Sequence, residues 1–173
     1  AERMRIDSIG STTITCGATA TGLKIVHAGG SGESRRFFQG NYSSSTESYR
    51  VWTNGDVENT NGNYGAISDA KLKENVVDAS SQWDDIKDIR IRNYNFIEGQ
   101  THTQIGVVAQ EVETVSPGLV SDRPDVDEDG NDLGTTTKSV KYSVLYMKAV
   151  KALQEAMDRI ETLEAKVAAL EAQ

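Results

Sequence analysis

Ser68 and Lys73 lie five residues apart in a short charged segment. A serine hydroxyl is a poor nucleophile until a base removes its proton. A lysine amine can be that base only when its pKa falls from about 10.4 toward neutrality, through burial or a nearby cation. Lys71 could supply that cation. The spacing therefore predicts a Ser/Lys dyad with Ser68 as the nucleophile and Lys73 as the base.

The same segment also fits an interpretation without chemistry. Ser68 or Asp69 could cap the amino-terminal end of a helix, while Lys73 is solvated. Residues five apart on a regular helix lie about 140° from each other around the axis. A dyad therefore requires Ser68 to lie outside any helix that contains Lys73.

The composition limits the possible classes of protein. Only 37% of the 173 residues are hydrophobic, so a core built from one copy would be thin and oligomerisation could supply the missing burial. The net charge of −8 argues against a nucleic-acid or acidic-lipid surface. No apolar run approaches the roughly 20 residues of a membrane span. Cys16 is the only cysteine, which excludes an intrachain disulfide.

Residues 61–77 separate two segments of different character. The upstream segment is rich in Gly, Ser and Thr, with short alternating pieces that predict strands near residues 4–7, 12–15, 23–26 and 50–52. Asn54-Gly55 predicts a type I′ hairpin turn. Sheets this short and polar are only marginally stable when they form within one chain. A sheet shared between several chains would explain them.

The downstream segment predicts mixed elements. We expect a short helix or turn over 84–91, strands over 90–96 and 104–109, and a short helix from Ala109 that stops before Pro117. We expect an acidic loop over 121–137, and then a strand over 138–142 that leads into a long helix.

The carboxy-terminal helix, predicted from about residue 143 to the end, carries apolar residues at spacings that alternate between three and four. They are Tyr146, Ala149, Leu153, Ala156, Ile160, Leu163, Val167 and Leu170. We call the last six the seam. A parallel partner would pair Arg159 with Glu164 and Lys166 with Glu171 across chains, and the widened apolar face makes a trimer plausible. An amphipathic helix lying on its own domain remains the alternative.

Metal chemistry has one weak candidate. Asp125, Asp127 and Asp129 match the first half of a calcium-binding EF-hand loop, but the twelfth position is Thr136 instead of a glutamate. An acidic hairpin turn is the alternative. His27 and His102 have no partners at metal-ligand spacing, although His102 could support Lys73. We expect no metal and no cofactor.

From Gly55 onward the chain resembles the carboxy-terminal intramolecular chaperone domain of phage tailspikes, tail fibres and endosialidases. Four motifs carry the resemblance: residues 54–57 with 64–73, Tyr94-Asn95-Phe96, residues 106–112 with Pro117, and Val140-Lys141-Tyr142 before the long helix. Similar domains occur in membrane-bound eukaryotic transcription factors. No membrane span or basic DNA-binding region is visible, so the phage interpretation is preferred.

The resemblance implies a homotrimer that folds three fibre chains and then cuts itself off between Ile67 and Ser68. Ser68 would be the catalytic serine, Lys73 the base and Asp69 a supporting residue. The expected fold is α+β: an all-β trimeric fibre end over 1–67, and a mixed α/β chaperone over 68–173 with a parallel coiled coil over 143–173. The mature fibre would belong to the virion tail, and the chaperone would be made and released in the host cytoplasm.

Two alternatives stay open at this point. The module could trimerise and fold the fibre without cutting. Residues 1–66 could also form a fibre tip that binds a receptor on the host surface, with aromatic contacts from Phe37, Phe38, Tyr42, Tyr49 and Trp52.

Overall fold

The structure, a computed structural model, describes residues 4–6, 12–14, 25, 35–41, 43–44, 46–98, 102–127 and 130–172. The chain divides into two compact units: residues 1–67 with 98–100, and residues 68–97 with 101–173. Short antiparallel sheets and one long carboxy-terminal helix confirm the predicted mixture of α and β structure. No helix in the described part of the chain is long and apolar enough to cross a bilayer.

The described residues of the first unit form two small antiparallel sheets. Its strands are β1 (Met4–Ile6), β2 (Thr12–Ile14), β3 (Arg36–Asn41), β4 (Glu47–Trp52) and β5 (Val57–Asn59). β1 pairs with β2, and β4 lies between β3 and β5. Phe38 and Tyr49 meet edge to face with ring centroids 5.8 Å apart. Three of these strands coincide with the positions predicted from alternation.

The turn between β4 and β5 confirms the predicted hairpin but not its type. Gly55 has a φ of 98°, whereas Asn54 does not adopt positive φ, so the turn is not type I′. The Asn54 side chain organises the loop instead. Its Oδ1 accepts from the Asp56 backbone N–H at 3.1 Å, and its Nδ2 donates to Asp56 Oδ2 at 2.7 Å.

The second unit combines three α-helices with two hairpins. Its elements are a 3₁₀ turn (Ala70–Leu72), α1 (Trp83–Asp88), β6 (Arg92–Tyr94), β7 (Gln104–Gly106), α2 (Ala109–Val115), a second 3₁₀ turn (Pro117–Leu119), β8 (Val120–Val126), β9 (Asp132–Val140) and α3 (Tyr142–Glu171). The three helices confirm the sequence prediction, while β6 and β7 are shorter than predicted.

The predicted acidic loop over 121–137 is wrong, because most of it forms the β8–β9 hairpin. Most side chains of the hairpin are exposed, so it lacks the apolar alternation that marks a half-buried strand. The ladder shifts register between Pro124 and Val126, where proline cannot donate a hydrogen bond. Lys138 Nζ ties β9 to Asp122 and Glu113, at 2.9 Å each.

The core of the second unit is small. Ile89, Val107, Val112 and Leu119 are buried, with Leu119 at 0% exposure. They join the end of α1, the start and middle of α2 and the base of the β8–β9 hairpin. The partly buried residues packed around them are Val115, Val120, Val140 and Leu145.

Three of the motifs that suggested the resemblance meet at Gly106. A Cβ at this position would lie 3.0 Å from the Tyr142 hydroxyl oxygen and 3.3 Å from the Tyr94 ring. Any larger residue would push these two side chains apart, which explains a glycine here. These motif residues therefore shape the fold of the second unit.

Helix α3 is 30 residues long, about 45 Å at the standard rise. One flank of its first half packs against α1, and Ala152 is buried there. Five of the six seam residues are 51% to 68% exposed in the single chain: Leu153, Ile160, Leu163, Val167 and Leu170. Ala156 is half-buried.

Candidate active site

A 3₁₀ turn at the start of the second unit brings Ser68 and Lys73 together. Asp69 caps the turn, with its Oδ1 accepting from the Lys71 backbone N–H at 2.9 Å. The Leu72 and Lys73 backbone N–H groups donate to the carbonyls of Asp69 and Ala70, at 3.1 Å each. This tight turn reverses the chain within six residues.

The consequence is a direct contact between the two candidate catalytic groups. Lys73 Nζ lies 2.6 Å from Ser68 Oγ. Ser68 precedes the turn and Lys73 follows it, so the two are not separated around a regular helix. The requirement that Ser68 lies outside the helix is met.

The contact is a hydrogen bond in which the Lys73 amine donates to the serine oxygen. To act as a base, the neutral amine must accept the serine proton across the same distance. Ser68 and Lys73 are exposed in the single chain, and Ile67 is 87% exposed. Ile67 ends the first stretch of the first compact unit, and Ser68 begins the second unit.

Asp69 and Lys71 act on the shape of this turn. The Lys71 amine lies 3.5 Å from Asp69 Oδ2, so its charge faces that carboxylate. Asp69 thus holds the turn by capping it and by pairing with Lys71. This is the structural role that the sequence offered as an alternative, and it is compatible with a supporting role for Asp69 beside the dyad.

The other candidate residues lie elsewhere. His102 is exposed, with its Nε2 2.9 Å from the Gln104 amide nitrogen. His27 lies outside the described residues.

The weak calcium candidate corresponds to the tip of the β8–β9 hairpin. Asp125 accepts from the Thr135 and Thr137 hydroxyls at 2.7 Å each, and Asp127 accepts from the backbone N–H of Asn131 at 2.8 Å. Asp129 lies outside the described residues. Across the part of the chain that the structure describes, no three metal-ligating side chains form a cluster.

Sequence reasoning missed a group of polar contacts between α1 and α3. The Glu155 carboxylate accepts from the Ser81 hydroxyl at 2.8 Å and from the Gln82 backbone N–H at 3.1 Å. Lys148 Nζ lies 2.7 Å from Asp85 Oδ2. Lys148 and Glu155 are seven residues apart on α3, so they lie on the same side of the helix. Two charged residues with this spacing could have indicated that another element packs on that side.

These contacts perturb two carboxylates. The hydrogen bond from Lys148 holds the pKa of Asp85 below its ordinary value, although burial acts in the opposite direction. The hydrogen bond from Ser81 similarly lowers the pKa of Glu155 against an opposing effect of burial. Both groups are therefore held as carboxylates at neutral pH.

Arg159 has a partner in its own chain. Its guanidinium carbon lies 3.7 Å from the centroid of the Trp83 ring, a cation–π contact. The sequence had assigned Arg159 to an interchain pair with Glu164. Since Arg159 is engaged with α1, that pair would compete with this contact, whereas the interchain pair of Lys166 with Glu171 stays a prediction.

Residues 68–121 match the family model described as the chaperone of endosialidase, a peptidase family. These 54 residues are similar to the chaperone of endosialidase. The resemblance inferred from the motifs is confirmed over this segment, which includes both Ser68 and Lys73. At the level of the family, the chaperone-of-endosialidase domain is peptidase-like.

Among solved structures, the chain is similar to the carboxy-terminal domain of the bacteriophage T5 L-shaped tail fibre with its intramolecular chaperone domain. The identity is 15% and the TM-score 0.41, and the match covers 73% of this chain and 44% of that chain. The chain thus spans less than half of that fibre structure. No curated protein matches it.

Proposed function

We propose that residues 68–173 are an intramolecular chaperone that trimerises and folds a phage tail fibre or tailspike, and then releases itself by cutting between Ile67 and Ser68. The observation that carries this proposal is the 2.6 Å contact between Lys73 Nζ and Ser68 Oγ, within the matched family segment. The position of Ser68 at the first residue of the second compact unit supports it.

The proposed reaction begins with the neutral Lys73 amine taking the proton from Ser68. The serine Oγ then bonds to the Ile67 carbonyl carbon, and the bond from that carbon to the Ser68 nitrogen breaks. The released nitrogen takes the proton from Lys73 and becomes the new amino terminus. An ester now joins Ile67 to Ser68 Oγ. Water hydrolyses it, which leaves a carboxylate on Ile67 and restores the serine hydroxyl.

Trimerisation is supported by the exposed apolar face of α3. Burying each large seam side chain would contribute about 1.5–3 kcal/mol. A parallel coiled coil would hold three chains together and raise the local concentration of the strands upstream. Cutting after folding would remove the chaperone and make unfolding hard to reverse, a form of kinetic stability.

A module that folds the fibre without cutting is the second candidate function. It is favoured by the exposure of Lys73, because a lysine base needs surroundings that disfavour its charged form. In the first proposal, the trimer supplies those surroundings.

One gel separates the two candidates. The unmodified chain is expressed and fully denatured, and cleavage gives fragments of 67 and 106 residues. Ser68→Ala and Lys73→Met should each leave only the full-length band, whereas Ser44→Ala, a change at another exposed serine, should be cut like the unmodified chain. A single full-length band for the unmodified trimer would reject cutting and favour the second candidate.

A further inference from the structure

Residues 68–73, which carry the proposed dyad, make polar contacts mainly with one another. In the part of the chain that the structure describes, those of Ser68, Asp69 and Lys73 lie within residues 68–73. Downstream of Lys73, hydrogen bonds first reach another element at Ser81 and Gln82, which bind Glu155 on α3. The dyad is therefore tied to the long helix through this point.

Glu155 binds the amino-terminal end of α1, where backbone N–H groups lack partners within the helix. Gln82 is the capping residue, and its own side chain makes no capping hydrogen bond. The two oxygens of Glu155 instead accept from the Gln82 backbone and the Ser81 hydroxyl. Glu155 thus caps α1 from a different helix.

Two further residues of α3 hold α1 along the same flank. Lys148 binds Asp85 and the Gln82 side chain, and Arg159 stacks on Trp83. We call Lys148, Glu155 and Arg159 the α1 clamp. A helix of six residues is unstable in isolation, so α1 depends on this docking.

We infer that Glu155 is a positioning residue for self-cleavage, because it fastens the segment that follows the dyad to the trimerisation helix. This inference rests on the proposed function. Lys73 and Ser81 are eight residues apart, so attaching Ser81 to Glu155 limits Lys73 to within about 30 Å of that point on α3. In a trimer, three such clamps would attach the three segments that carry the dyads at the same level of the coiled coil.

The test compares Glu155→Ala with Glu161→Ala in the full chain. Both changes remove a glutamate from α3, but Glu161 is exposed and makes no ion pair with the described residues. Trimer content is measured by sedimentation, docking by hydrogen exchange at the Gln82 amide, and cleavage by the amount of full-length band over time. Glu155→Ala should speed exchange and slow cleavage about tenfold while trimers persist. Glu161→Ala should change neither.

Two additional variants separate positioning from general damage. Glu155→Gln keeps an acceptor oxygen and should recover most of the cleavage rate, whereas a rate as low as that of Glu155→Ala would overturn the hydrogen-bonding role. Ser81→Ala removes one hydrogen bond without changing α3, and it should slow cleavage even if Glu155→Ala disturbs the trimer.

The outcomes also distinguish this inference from the proposed function. If the unmodified trimer is not cut, both are overturned. If the unmodified chain and Ser81→Ala are cut at equal rates although exchange at Gln82 has increased, only the inference is overturned. Faster exchange with slower cleavage in intact trimers supports it.

Discussion

The second unit uses its apolar residues in two contrasting ways. Around Leu119, four residues form a closed core, in which Val112 and Leu119 are almost fully buried. Along α3, the large seam residues are more than half exposed in the single chain. The core holds elements of one chain together, whereas α3 exposes an apolar face to solvent in the single chain. The unit thus buries its apolar residues near the β8–β9 hairpin but leaves those of the α3 seam uncovered.

The contrast follows from which residues cover each helix. Helix α2 lies against the β8–β9 hairpin, which closes the core over it. Helix α3 contacts the second 3₁₀ turn near its start and the short α1 along one flank of its first half, while its large seam residues stay exposed. A helix with an uncovered apolar stripe gains stability when a partner covers it.

The largest expected effect tests the helix side of this comparison. Leu163→Ala removes a large seam residue from every chain, and each copy should cost about 2–5 kcal/mol if the residue is buried in the trimer. The three losses add in the assembly, so the trimer should dissociate at concentrations where the unmodified protein holds together. Sedimentation equilibrium measures this, with Glu161→Ala as the control. Unchanged association would show that the seam is not the interface.

The core side of the comparison gives the next effect. Leu119→Ala leaves a cavity at a fully buried position, and the free energy of unfolding should fall by about 2–5 kcal/mol. Leu133→Ala makes the same change at a residue that is 58% exposed, and it should cost far less. Denaturant titration of both variants measures the difference. Equal losses would remove the distinction between the two regions.

The smallest effect concerns the contact that joins the two regions. Asp85 has a folded pKa below its ordinary value of 3.8, chiefly through the hydrogen bond from Lys148. Its contribution to stability is therefore complete above the ordinary pKa and is lost as the pH falls through the folded one. Denaturation between about pH 3 and about pH 7 should show that the stability difference between the unmodified chain and Asp85→Asn shrinks toward acid.

Asp84→Asn is the matched control for this titration, since Asp84 makes no ion pair with the residues that the structure describes. A pH dependence as large for Asp84→Asn as for Asp85→Asn would mean that the Lys148 contact is not its source. A constant stability difference for Asp85→Asn would mean that the Lys148 contact contributes little to folding.

The sequence predicted the elements whose pattern depends on burial or on periodicity. The bounds of α3 followed from apolar spacing, and Pro117 marked the limit before which α2 ends. The β8–β9 hairpin escaped prediction because it is held mainly by backbone pairing and by polar contacts such as that of Lys138 with Asp122. Such contacts do not require apolar and polar residues to alternate along the sequence, which is the pattern by which a strand is recognised.

At the candidate site, the spacing of Ser68 and Lys73 identified the pair, and Asp69 signalled a cap. The sequence could not supply the 3₁₀ geometry that brings the hydroxyl and the amine together, because regular helical spacing would separate them. Glu155 was missed for a different reason. It is 74 residues from its partner Ser81, and a contact that distant leaves no local pattern. Autoproteolysis, the domain boundary and the roles of the site residues stay predictions.

The hydrogen bond between Ser68 and Lys73 is built from six consecutive residues that carry their own cap. Such a turn is portable: placed as a cassette in an exposed linker of another protein, it would bring the same two groups within reach of each other. The surroundings that would turn the amine into a base would not travel with it. Under the proposed function, such a linker would stay intact in a host that does not rebuild those surroundings around the amine.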